Sequence, residues 1–276
     1  MQTSVSVVIP TYNRAGALRQ ALTSVYAQLH QPFEVIVVDD GSTDETAAVV
    51  AGFAQAVYLY QDNQGVSAAR NRGIELCTGA FVAFLDSDDT WLPTKLATQL
   101  ECIKQTQLRV CHTEEIWIRN GVRVNQKKKH RKSGGDQFER CIELCCISPS
   151  SVLIERAVFE DYGCFDESLP ACEDYDLWLR ICAFEHVCFV SEPQIYKFGG
   201  HADQLSRAFP AMDRFRLVAL TKLLERKVLD PTQTARVVAS VRKRINVLWM
   251  GALKHDNLAL IETLRPFKRR WVPDEN

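Results

Sequence analysis

The feature that most constrains this chain is a series of short apolar runs, each closed by polar residues and separated by stretches of helical periodicity. Val5 to Ile9 is a β-branched run stopped by Pro10. Phe33 to Val38 (FEVIVV) ends at Asp39-Asp40-Gly41-Ser42, Val57 to Tyr60 is a third run, and Phe81 to Leu85 (FVAFL) ends at Asp86-Ser87-Asp88-Asp89. Between them, Ala15 to Ala27 spaces Leu18, Leu22 and Val25 on one helical face, and Thr43 to Phe53 and Val66 to Leu76 also read as helices. Thr90-Trp91-Leu92-Pro93 has the pattern of a further helix start, with proline near the first turn. Solid apolar strands alternating with helices predict an α/β fold with a mostly parallel sheet covered on both faces.

Composition narrows the class. The 276 residues are 46% hydrophobic and 24% charged, with 33 basic and 34 acidic side chains and a net charge of −1. A chain this balanced carries no general field for nucleic acid. The N-terminal stretch lacks the basic and small-residue pattern of a secretory signal, and no apolar run is long enough to span a bilayer. The expectation is a cytoplasmic protein, with peripheral contact at the inner membrane face left open. Its ten cysteines show no spacing of a structural zinc site, and they read as reduced thiols packing as small hydrophobes.

In a parallel sheet, ligands bind beyond the carboxyl ends of the strands. Pro10-Thr11-Tyr12-Asn13-Arg14, Asp39 to Asp44 and Asp86 to Asp89 stand at three such ends. Each has a plainer reading as a turn or helix cap, with Ser42 or Thr43 capping the next helix. A cap uses one side-chain acceptor, whereas Asp86, Asp88 and Asp89 supply three carboxylates. Carboxylates suit a hard divalent cation, Mg²⁺ or Mn²⁺, that completes its shell with phosphate oxygens. Two aspartates one residue apart can then divide their work between the cation and a neighbouring sugar.

The succession VSVVIPTYNR, FEVIVVDDGSTD, NQGVSAARNRGI, FVAFLDSDD and EDYDLWLR resembles family 2 glycosyltransferases of the GT-A fold, inverting enzymes that use nucleotide-sugar donors. The likeness covers Val5 to Arg180 and extends weakly to Ser206. It implies that Pro10, Thr11, Tyr12 and Asn13 border the nucleotide, and that Asp40 accepts a hydrogen bond from a uracil-like base edge. Arg70 would hold the base or the adjoining loop, although it also reads as a salt-bridge partner on a solvated helix. Asp86 would contact ribose or donor sugar, with Ser87 beside it, and Asp88 would ligate the metal. Asp89 would orient the loop or meet donor hydroxyls.

Further along, Glu173-Asp174-Tyr175-Asp176 opens a helix, where acids favour the helix dipole by about 0.3–1 kcal/mol each. The resemblance adds a sharper role: Asp174 as the catalytic base, with Glu173 positioning acceptor or base. It also offers His201 in GGHADQLSR as a metal or phosphate contact. The basic run Lys127 to Lys132 reads either as a solvated loop or as a surface for anionic headgroups or a phosphorylated acceptor. Ala211 to Arg270 has helical stripes, with Pro231 between two helices.

The expected organisation is a GT-A domain over residues 1–206, with a nucleotide-sugar half (1–110) and an acceptor half (111–206), followed by a helical region at 207–276. The expected function is inverting sugar transfer from a UDP-type donor to a hydroxyl of a glycan or glycolipid acceptor, without nucleic acid. A sugar-nucleotide pyrophosphorylase would carry a Gly-rich basic loop where PTYNR stands. A non-catalytic nucleotide-sugar-binding module would have no need of Asp174.

Overall fold

The computed structural model describes residues 3–200, 209 and 211–272. In chain order the elements are β1 Val5–Thr11, α1 Ala15–Tyr26, β2 Glu34–Asp39, α2 Thr46–Ala51, β3 Ala56–Tyr60, α3 Val66–Leu76 and β4 Phe81–Phe84. They continue with β5 Thr90–Trp91, α4 Lys95–Thr106, β6 Val110–Arg119, β7 Val122–Val124, α5 Phe138–Glu143, β8 Leu153–Glu155, α6 Ala157–Tyr162, α7 Glu173–Cys182 and β9 Val187–Gly199. Three more helices follow: α8 Asp213–Glu225, α9 Pro231–Lys254 and α10 Leu258–Trp271.

The strands form one sheet in the order β3-β2-β1-β4-β8-β6-β9-β5, with β7 paired to β6. β1, β2, β3 and β4 pair in parallel, β8 runs against both β4 and β6, and β6 pairs with β9 in parallel. β6 and β9 therefore run the same way as β1, β2 and β4, and their carboxyl ends emerge on the same edge. This topology draws the second half of the chain to the three polar clusters at the ends of the first-half strands.

The central strands β1, β2 and β4 are mostly apolar because both faces are covered. Val8, Ile36, Val82 and Phe84 enter one core, while Val7, Ile9, Val35, Val37 and Ala83 enter the other, following the two-residue period of a strand. The first core also takes in Leu217 and Leu220 of α8 and Val237, Val241 and Ile245 of α9. The helical stripes thus pack against the sheet domain, leaving Val247 and Met250 exposed on the outer side of α9. Pro231 does separate two helices; it stands at the first turn of α9 behind a reciprocal cap between Asp230 and Gln233.

Two local expectations are corrected. Thr90 and Trp91 form no helix start; they make a short strand against Tyr196 and Ile195, and α4 begins only at Lys95. Ser42 and Thr43 do not cap α2. The Ser42 hydroxyl accepts the Asn13 N–H, the Thr43 N–H goes to Asn13 Oδ1, and Asp44 Oδ1 takes the Thr46 N–H at 3.0 Å. Connecting the two loops outweighs capping the helix, so α2 starts three residues later than its periodicity suggests.

Close approach of α3 to β1 explains a glycine in NRGI. A Cβ at Gly73 would stand 2.3 Å from Val8 Cγ1, and a β-branched valine in a buried strand cannot swing aside. Gly73→Ala is expected to cost about 1–3 kcal/mol through overpacking. Urea unfolding checks this, and an unchanged midpoint would refute the close α3–β1 contact.

Candidate active site

The first two clusters are tied together by short polar bonds. Asp40 N–H donates to Thr11 O at 2.9 Å, and Asn13, in the left-handed region with φ 50°, links to Ser42 and Thr43. Asp39 accepts the Ser42 N–H and the Tyr58 hydroxyl, at 2.8 and 2.7 Å. Asp40 accepts from Gln61 Nε2, Gln64 N and Gly65 N at 2.7, 2.9 and 2.8 Å. Its carboxylate therefore orders the loop that leads into α3. Pro10 and Thr11 are buried in β1, while Tyr12 is 49% exposed.

The third cluster splits three ways. Asp86 Oδ1 accepts from Arg70 at 2.7 Å, and Asp88 Oδ2 pairs with Arg14 at 2.5 Å. Asp89 is buried and accepts from Ser150 Oγ at 2.7 Å and Phe198 N at 3.0 Å. Asp89 thus binds the Asp86–Asp89 loop to the Pro149–Ser151 turn and to the end of β9, a positioning task the sequence left open between loop and donor. Ser87 is buried beside it.

Arg70 is 4% exposed and lies 5.1 Å over the Phe165 ring. It is a salt-bridge partner, yet the helix face it occupies is buried, which corrects the solvated alternative. Its second arm reaches Glu173 Oε1 at 2.8 Å. Burial first, and the adjacent Asp174 charge next, push the Glu173 carboxyl above its ordinary value against the pull of Arg70.

Cys172, in the left-handed region with φ 64°, turns the chain so that Glu173 and Asp174 open α7. Asp174 Oδ1 accepts the Tyr175 N–H at 2.7 Å, and Oδ2 lies 3.2 Å from the Cys145 thiol. The third acid of this turn is structural: Asp176 pairs with Arg180 at 2.9 Å, and that guanidinium also donates to Cys164 O at 2.6 Å.

Two residues of the second half join the site without having been singled out in the sequence. Lys197 on β9 feels burial, which opposes its charge, but Glu115, Asp89, Asp86 and Asp174 together hold its ammonium above the usual range. Glu115 on β6 accepts from Lys132 at 2.9 Å, from Ser148 Oγ, and from Trp117 Nε1 at 2.9 Å. A register shift between β6 and β9 at Glu114–Glu115 places it there. Neither residue belongs to a recognisable motif; only strand order brings them in. Lys132, the last residue of the basic run, is buried by this pairing rather than solvated. Beyond it a cleft of about 350 Å³ is lined by Glu114, Trp117, Arg123, Lys127, Lys128 and Arg131, among others.

The donor set can be tested against a divalent cation. Among the described residues, no three carboxylates converge on one point. Asp88 offers a single carboxylate, raised above its ordinary value by burial and by Asp86. One such ligand fits Mg²⁺ or Mn²⁺, which takes most of its shell from phosphates and water. His201 lies outside the described residues.

A curled mixed sheet with its ligand edge built from these loops is the GT-A fold. In line with this, the crystal structure of S. aureus TarS 1–349 in complex with UDP-GlcNAc superposes with a TM-score of 0.70 at 24% identity, covering 90% of this chain and 73% of that one. Residues 6–163 match the family described as Glycosyl transferase family 2, and the chain belongs to that family. An uncharacterized glycosyltransferase of Rickettsia conorii is 33% identical over 190 residues, 66% of this chain but 30% of its own length. The match therefore spans about a third of that relative. The Escherichia coli protein WfgD, a UDP-Glc:alpha-D-GlcNAc-diphosphoundecaprenol beta-1,3-glucosyltransferase, is 29% identical over 64% of this chain and 69% of its own.

Glu115 is held at about 2, far below its ordinary 4.5, because burial is outweighed by Lys132 and Lys197. A lowered folded value adds stability above the unfolded value and loses it as pH falls through the folded one, here between about 4.5 and 2. Glu115→Gln is expected to be less stable at pH 7 by about 2–3 kcal/mol, with the gap to the parent narrowing as pH falls from about 5 to 3. Denaturant titrations across that range check it; a gap independent of pH would show that Glu115 titrates normally.

Proposed function

We propose that the protein is an inverting glycosyltransferase, moving a sugar from a UDP-sugar to an acceptor hydroxyl. The observation that carries this reading is Arg70, whose two arms hold Asp86 of the donor-side loop and Glu173 of the Glu173–Asp174 turn. Arg70 thereby ties the donor motif to the turn that carries the candidate base. Family membership and the UDP-sugar donors of TarS and WfgD support the donor class.

In this reading the nucleotide lies along Pro10, Thr11, Tyr12 and Asn13, with Asp40 shaping the loop at the base and Asp86 meeting ribose or sugar. A divalent cation, Mn²⁺ or Mg²⁺, at Asp88 would supply charge stabilisation to the diphosphate. Arg14 and Lys197 add positive charge from the chain itself, where the departing phosphate gains negative charge. Asp174 removes the acceptor proton as the hydroxyl attacks the anomeric carbon from the face opposite the nucleotide, turning an α-linked donor into a β-linkage. Such base assistance contributes about 10²–10⁴-fold.

The Trp117–Arg131 cleft gives the acceptor side its character: an aromatic ring with several cations suits a sugar attached to phosphate. A lipid-linked glycan, like the diphosphoundecaprenol-linked acceptor of WfgD, fits that chemistry and a place at the inner face of the cytoplasmic membrane in surface polysaccharide or glycolipid assembly. No helix among the described residues is long and apolar enough to cross a membrane. The division into a donor half to residue 110, an acceptor half to 206 and a helical region beyond belongs to the same proposal.

A panel of nucleotide sugars, each with and without Mn²⁺, is expected to single out one UDP-sugar by its protection against thermal unfolding. Asp174→Asn should retain that protection and lose transfer by at least about 10²-fold; turnover near the parent rate would move the base elsewhere. Asp88→Ala should lose the Mn²⁺-dependent part of donor protection, and its persistence would remove the metal from Asp88.

A further inference from the structure

A second cluster of reactive side chains lies on α4, β6 and β9, away from the cleft. Cys111 and Cys188 are register partners on adjacent parallel strands and are 0% and 4% exposed. Cys102, on the helix that covers them, is partly exposed. The three sulfurs lie within 4.8 Å of one another, the one such grouping of ligand atoms among the described residues. Three thiols from three separate elements are brought together by the fold, so no spacing in the sequence announces them.

We propose that Cys102, Cys111 and Cys188 form a binding site for a thiophilic d¹⁰ cation, Zn²⁺ or Cu⁺. Metal–sulfur bonds of about 2.3 Å place the sulfurs of a tetrahedral or trigonal site about 3.8–4.0 Å apart. The trio reaches that spacing by closing less than about an ångström. Thiolate ligands select soft cations and leave Mg²⁺ and Mn²⁺ to oxygen ligands, so this centre is chemically separate from the donor site. Partial exposure of Cys102 supplies the path from solvent. Binding replaces the S–H protons, including those that Cys188 and Cys111 direct at Val110 O and His112 O.

The consequence is mechanical. β6 and β9 carry Glu115 and Lys197 into the cleft, and a cation here would fasten α4 to that strand pair. Binding only to the folded chain raises its stability by mass action.

The test uses the full chain, reduced and freed of metal, titrated with Cd²⁺ as the spectroscopic stand-in for zinc. A thiolate-to-cadmium charge-transfer band saturating at one equivalent is expected, together with a raised Tm. Competition against chromophoric chelators then ranks Zn²⁺ and Cu⁺, and tight binding of either supports the site. Cys102→Ser should weaken binding by at least about tenfold, while Cys141→Ser with Cys146→Ser, the thiol pair at 3.0 Å elsewhere, should leave it unchanged. The site is refuted if the band is missing, survives in Cys102→Ser, or disappears with the Cys141/Cys146 pair. A disulfide forming within the trio on mild oxidation of chain that takes up no metal likewise refutes it. Donor binding is read separately, so loss of the cysteine site leaves the glycosyltransferase proposal intact.

Discussion

Arg70 sits at the centre of this fold because it is itself buried and joins two acids from distant parts of the chain. Asp86 comes from the end of β4 and Glu173 from the start of α7, and each receives one arm of the same guanidinium. Guanidinium geometry makes this possible: a planar fork can serve two carboxylates at once, which a lysine ammonium on a flexible stem does poorly. A buried ion pair adds little net stability over apolar packing, yet losing one partner leaves uncompensated charge and costs about 3–5 kcal/mol. The arrangement therefore makes the relative position of the two loops specific more than it makes the protein stable.

Around that pair, the remaining charges balance by pairing across the cleft. Asp88 has Arg14, Glu115 has Lys132, and Lys197 faces four acids without lying within salt-bridge distance of any of them. An ammonium held by several carboxylates at longer range keeps its charge. Asp89 follows different logic. It is dry, its oxygens are occupied by Ser150 and Phe198, and burial raises its carboxyl well above the ordinary value. The three acids of one short motif thus have three environments, and only Asp88 is partnered by a cation at the mouth rather than by the interior.

How much of this was legible in the sequence follows from the range of each interaction. Strand and helix order in the first hundred residues rests on local periodicity, and α3 occupies Val66–Leu76 as its spacing predicts. The helix start at Glu173-Asp174 was legible because it is a short local pattern, and α7 opens there. Lys197 and Glu115 were missed because alternation along β6 and β9 marks which face is covered, not which strands neighbour one another. Helix starts failed where long-range bonds competed with local ones. Ser42 and Thr43 were drawn to Asn13, twenty-nine and thirty residues away, and Thr90 was drawn into pairing with Tyr196. The Cys102–Cys111–Cys188 trio has the same origin, since two of its members meet only through strand register.

This division by range bears on how the site and its support are built. The polar clusters of the first half come from loops at the ends of β1, β2 and β4, so short segments fix them. Glu115 and Lys197 depend on β6 and β9, whose pairing is interrupted by a register shift just before Glu115. A strand pair bent at that point gains from restraint elsewhere along its length, and α4 lies against both strands where Cys111 and Cys188 meet. Fixing the strands on the side away from the cleft limits how far Glu115 and Lys197 can drift from Asp86 and Asp174. In the proposed reaction the base and the leaving group stay in line across that gap, so an ångström of drift there would bear directly on rate.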